Sequence, residues 1–102
     1  MVVHMVLFKV KPEVSRARLL RVMNLIGGLR KKLRGITYYC WGPYSSPEGL
    51  NRGYTHAFCM NFKDAKSRDM YLPHPEHLKV VDEVLKILKG GVKGALAFDF
   101  EA

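Results

Sequence analysis

Tyr71-Leu72-Pro73-His74-Pro75-Glu76-His77 is the stretch on which the reading of the whole chain turns. Pro73 and Pro75 fix their own φ and push Leu72 and His74 out of the helical region, so a helix arriving from the N-terminal side ends here. Pro75 suits the first position of a new helix, where a missing N–H is no loss. The stretch is therefore a rigid elbow between two helices. It sets Tyr71 at the end of one and His77 in the first turn of the next, close enough to share a pocket.

Working outward, His77, Val81, Val84 and Leu88 recur at helical spacing and predict one buried stripe, closed by Gly90-Gly91. Val92–Phe100 then reads as a strand with Leu96, Phe98 and Phe100 on one face. Upstream of the elbow, Asp64 caps a short helix through Leu72. Before it, Tyr54–Phe62 is a strand with His56, Phe58, Met60 and Phe62 on one face. The polar loop Ser45–Gly53 separates it from another strand, Ile36–Tyr44. The first strand, Val2–Val10, carries His4, Val6, Phe8 and Val10 on one side and Val3, Met5 and Leu7 on the other. Ser15 caps the intervening helix, which the stripe of Leu19, Val22, Met23, Ile26, Leu29 and Leu33 carries to about Leu33. Gly27-Gly28 weakens that helix by about 1 kcal/mol per glycine, and Gly35 stops it.

The resulting order, β-α-β-β-α-β, is the ferredoxin-like α+β plan, a single domain over 1–102 with a four-stranded antiparallel-type sheet and helices on one face. The opposite face, with Val3, Met5, Leu7, Ala57 and Cys59, is too apolar to meet water. A homodimer that joins two sheet faces into a barrel covers it. The plan is read with strands one and three adjacent and parallel, so His4 and His56 approach Tyr71 and His77 at one end of the space between sheet and helices.

Composition fits an ordinary globular protein, 48% apolar and 25% charged, with no run long enough for a membrane span and no leader-like start. Cys40 and Cys59 lack metal-ligand spacing and read as a buried reduced pair in a cytoplasmic protein. The net charge of +8 is uneven. Residues 9–34 hold nine bases against Glu13 alone, while elsewhere bases and acids balance. No aromatics interleave with these bases, so the face is expected to be solvated, with neither a specific nucleic acid nor a membrane as partner.

A histidine titrating near neutral pH can act as a base, and a tyrosine hydroxyl can donate to a developing oxyanion. A lone histidine on an apolar face is more often a satisfied core group. Three of them with a tyrosine on one cavity point instead to a pocket. Its catalytic pair is His77 and Tyr71, and its walls are His4, Val6, Phe8, His56, Phe58, Met23, Ile26 and Val81. No carboxylate or thiolate completes a metal set around the histidines, and no phosphate loop, nucleotide fingerprint or nucleophile elbow occurs. Neither metal nor cofactor is expected.

His4-Met5-Val6-Leu7-Phe8-Lys9, then Gly53-Tyr54-Thr55-His56 leading into Phe62-Lys63-Asp64, then the Tyr71–His77 elbow resemble, in order and end to end, the stress-responsive dimeric α/β-barrel family. The resemblance implies a ferredoxin-like dimer whose sheets form a central barrel. The family includes plant stress proteins and a polyketide cyclase, olivetolic acid cyclase. There the histidine matching His77 is the base, the tyrosine matching Tyr71 assists an aldol closure, and His4 matches a further pocket histidine. In the first helix this chain departs, with Val22, Met23 and Ile26 where the cyclase has a tyrosine and phenylalanines. The function expected is therefore binding of a small apolar or aromatic ligand, with cyclase-like acid–base chemistry. The alternative is a non-catalytic stress protein whose stable oligomer is the functional unit.

Overall fold

Alternation along the first strand separates the two sides of the sheet. Val2, His4, Val6 and Phe8 are buried, while Val3 and Leu7 are half-buried and Met5 is exposed. The computed structural model describes residues 1–102. Its elements run β1 (Val2–Phe8), α1 (Arg16–Gly28), a 3-10 turn at Leu29–Lys31, β2 (Ile36–Pro43) and β3 (His56–Phe62). They continue with α2 (Ala65–Tyr71), α3 (Pro75–Ile87), a second 3-10 turn at Gly91–Gly94 and β4 (Ala95–Glu101). This is the ferredoxin-like α+β fold. Ser15 and Asp64 cap α1 and α2 through their side chains, as their positions predict.

The sheet order is β2-β3-β1-β4, and every neighbouring pair is antiparallel. The expectation of parallel strands one and three is thereby corrected. A helical crossover returns β2 in the direction of β1, and the β2–β3 reversal then leaves β3 opposed to both. The register pairs His4 with Met60 and Phe8 with His56. His56 therefore lies four residues along the sheet from His4, roughly 13 Å at the rise of a strand.

Inside, α1 and α3 cover the buried face of the sheet, and Val22, Met23, Met60, Phe62, Ile87 and Leu88 are almost wholly enclosed. Helix α1 gives way to the tighter turn at Leu29, short of the expected end near Leu33. The cause of Gly27 is visible across the interface. A Cβ there would lie 2.7 Å from the Tyr39 ring, whose hydroxyl donates to the Met23 carbonyl at 2.8 Å. The strand expected from Val92 begins at Ala95, because residues 91–94 coil after left-handed Gly90 and Gly91.

The other sheet face is open. Across the strands it carries Phe98, Met5, Cys59 and Cys40 in one row and Phe100, Val3, Asn61 and Tyr38 in the next. Phe98 is 64% exposed and Leu96 47%. The two cysteines face each other as free thiols on this side, not buried within the protomer as expected. No helix is long and apolar enough to cross a membrane.

Candidate functional site at the helix elbow

The elbow forms as its prolines dictate. α2 stops at Tyr71, and His74 turns extended (ψ 134°) to cap α3, with Pro75 opening the helix. The Nδ1 of His74 accepts the Glu76 N–H at 3.1 Å, so this histidine holds the backbone. One turn on, His77 folds back and donates Nδ1–H to the Leu72 carbonyl at 2.9 Å. That bond fixes the tautomer and leaves Nε2 with its lone pair. The ring lies against Tyr71, centroids 4.1 Å apart and planes inclined by 32°.

Both side chains line a cavity of about 220 Å³ between the sheet and α3. Its floor is His4, Val6, Phe8 and Phe58, its far wall Ile26, and its α3 side Val80, Val81 and Val84. On β4 the inward residues are Ala95 and Ala97, whose short side chains leave the gap beside α3. The chamber is thus apolar except at one end, where His4, Tyr71 and His77 meet. His4 stands edge-on to Tyr71 at 6.0 Å between centroids.

Burial lowers the pKa of His77 below the ordinary histidine value, and its neighbours His4 and His74 add to this. The bond to the Leu72 carbonyl opposes the shift but does not reverse it. A neutral imidazole is the form able to take a proton. Burial also raises the Tyr71 hydroxyl well above its usual value, so it remains a donor. No buried side-chain polar atom in the chain lacks a partner, and Tyr71 bonds to no protein group, so its hydroxyl remains accessible.

Behind the cavity runs a charged relay that sequence reasoning missed. His4 Nδ1–H donates to Asp99 Oδ1 at 2.6 Å, and Arg68 Nη1 donates to Asp99 Oδ2 at 2.8 Å. Arg68 Nε in turn reaches Asp69 at 2.7 Å. Burial pushes the Asp99 carboxyl upward, but the hydrogen bonds from His4 and Arg68 outweigh this and hold it below the usual range. The signal in the sequence was Asp99 itself, a lone acid alternating with Leu96, Phe98 and Phe100. Its inward face follows once β4 pairs with β1 and sets it opposite His4.

Of the ten residues expected at the site, eight share this cavity: His77, Tyr71, His4, Val6, Phe8, Phe58, Ile26 and Val81. His56 and Met23 do not. Antiparallel pairing carries His56 to the far end of β3, where its Nδ1–H donates to Thr55 Oγ1 at 2.8 Å. Met23 is sealed in the core at 0% exposure. The whole chain from residue 2 to 102 matches the model of the Stress responsive A/B Barrel Domain.

The chain belongs to this family.

The A/B barrel domain described here is similar to a crystal structure of an Arabidopsis thaliana protein, with 25% identity and a TM-score of 0.91 over 100% of this chain and 95% of that one. It is similar also to a dimeric ferredoxin-like protein of unknown function from Jannaschia sp., 27% identical, with a TM-score of 0.88 over 99% and 98%. A hydroxynitrile lyase from Passiflora edulis shares the fold, at 19% identity and a TM-score of 0.85 over 97% and 90%. A search of curated protein sequences returns no match.

Proposed function

We propose that this A/B barrel protein binds a small, largely apolar carbonyl compound and performs acid–base chemistry on it with His77 and Tyr71. The observation that carries the reading is the pairing of these two rings at 4.1 Å at the polar end of an otherwise apolar chamber. His77 Nε2 takes the proton from a carbon flanked by carbonyls, and the C–H electron pair moves onto a carbonyl oxygen. Tyr71 donates to that oxygen as charge develops. The enolate carbon then forms a C–C bond to a second carbonyl of the same molecule, and the new alkoxide recovers the proton from the His77 imidazolium. His4, held in one tautomer by Asp99, orients the substrate from the floor. The likeness of the Tyr71–His77 elbow to that of a polyketide cyclase supports an aldol closure of this type.

Two copies are proposed to join through the open sheet face, as befits a chain similar to a dimeric ferredoxin-like protein. The facing free thiols of Cys40 and Cys59 suit a reducing compartment such as the cytoplasm. The direct test is incubation with a linear 3,5,7-trioxoacyl thioester, with cyclised product followed by mass spectrometry. Wild type should form it faster than buffer, and His77→Ala should fall to the buffer rate. Equal rates for the two proteins would remove the chemical reading.

A second reading rests on the chamber's size. At about 220 Å³ it is smaller than the roughly 300–1,000 Å³ of common ligand pockets. A non-catalytic protein whose stable oligomer is the functional object accounts for that as well. Such a protein would bind no aromatic β-diketone, which calorimetry with benzoylacetone decides.

A further inference from the structure

On the other side of Tyr71 lies a larger cleft of different character. It measures about 480 Å³ and is bounded by the end of the turn after α1, the β3–α2 junction and the elbow. Four permanent cations line it: Lys32, Arg34, Lys63 and Lys66. Only Lys32 has an ionic partner, Glu76 at 3.6 Å, and that contact is exposed. The one acid in the cleft, Asp64, already accepts the Ser67 N–H at 2.8 Å as the cap of α2. Four cations face the single Asp64 carboxylate, and this excess of like charge in a concavity concentrates a positive field there.

The wall supplies a neutral donor as well. His74 uses Nδ1 to accept from Glu76, so its remaining proton sits on Nε2 of a ring lining the cleft. Ser67 packs against Gly35, whose φ of +91° and lack of a side chain allow the close approach. Lys63 N–H donates to the Gly35 carbonyl at 2.8 Å and ties the junction to the turn.

We propose that this cleft binds the phosphate groups of a small phosphorylated molecule. Lysine and arginine charges with an imidazole donor are groups that recognise a compact polyanion. A nucleic-acid surface fits less well. Other bases of the basic segment, Arg16, Arg18 and Arg21, lie on α1 outside the cleft, and the one aromatic lining it, Tyr71, is 3% exposed and offers no stacking platform.

Titration calorimetry with inorganic pyrophosphate at 0.15 M salt tests this. One saturable site per chain is expected. Lys63→Gln with Lys66→Gln, or Arg34→Gln alone, should weaken it by roughly tenfold or more, the loss of one to two charge-assisted hydrogen bonds. Arg16→Gln with Arg18→Gln removes charge outside the cleft and should leave affinity unchanged. Pyrophosphate should also raise the melting temperature of wild type and not of the Lys63/Lys66 variant. Absence of saturable binding, or equal weakening by both double variants, overturns the proposal. So does a single-stranded RNA that binds more tightly than pyrophosphate and is weakened alike by both.

Discussion

His77 donates Nδ1–H to the carbonyl of Leu72 at 2.9 Å, across Pro73 and Pro75. Two prolines thus hold an acceptor in place for a histidine on the next helix, and the histidine keeps its basic nitrogen free without help from a carboxylate. With burial lowering its pKa, His77 is neutral near pH 7.

The pH profile follows from that sign. Any enolisation or cyclisation rate should climb through a midpoint below the ordinary histidine value of about 6.5 and level off above it. Folding follows the same group. His77 binds a proton less readily folded than unfolded, so its full contribution holds above about 6.5 and stability falls as pH drops from there towards the lowered folded value. Urea melts of wild type and His77→Gln between pH 7.5 and 5 should converge as the pH falls. Parallel curves would contradict the assignment.

Tyr71→Phe should separate chemistry from packing. The hydroxyl bonds to no protein group, so its removal leaves no buried partner stranded, and the melting temperature should shift little. A cyclisation rate that depends on the hydroxyl should fall by roughly 100- to 1,000-fold, the range for loss of an oxyanion donor. A large loss of stability with unchanged rate would show a structural tyrosine instead.

Asp99 should announce itself at acid pH. Its folded pKa is lowered by His4 and Arg68, so its contribution is complete above about 4 and disappears as pH falls through the lowered value. Asp99→Asn should flatten that acid limb of the stability curve. It also removes the carboxylate that fixes the His4 tautomer, so cyclisation should slow without loss of fold.

Gly27 and Gly28 make a paired test of packing against propensity. In an open helix, glycine to alanine stabilises by about 0.5–1 kcal/mol. Gly28 faces empty space and should behave so. At Gly27 the new methyl meets the Tyr39 ring, which its bond to Met23 prevents from swinging away. Gly27→Ala should therefore destabilise by about 1–3 kcal/mol, the cost of overpacking. Opposite signs in chemical denaturation are the expected result.

Light scattering at micromolar concentration should give the mass of two chains. Phe98→Asp or Leu7→Asp should give monomer or aggregate, because each strands an ion in a dry interface. A wild-type mass of one chain would dismiss the assembly.

The elbow was legible because proline acts locally, and the strands because alternation needs no partner. His4, Val6 and Phe8 could be set on one face from the first strand alone. His56 could not be placed relative to them, since that depends on strand direction, which follows from crossover topology and not from any property of the residue. Met23 shared a helical stripe with Ile26, but a stripe about 100° wide does not tell a core position from a cavity wall. Arg68 and Asp99 stand 31 residues apart and meet only in the folded chain. Each reads by itself as an ordinary charged residue.

The cavity owes its existence to two alanines. Ala95 and Ala97 form the β4 wall, and Ala97 is exposed and outside the buried core. Enlarging the side chain at Ala97 would narrow the chamber from its open side, whereas Ala95 also packs against the core. Val6, Phe8, Phe58 and Ile26 serve cavity and core at once, while Ala97 lines the cavity alone. Volume in this cavity can therefore change at one strand position at little cost in folding free energy, which leaves its size freer to drift than the packing beneath it.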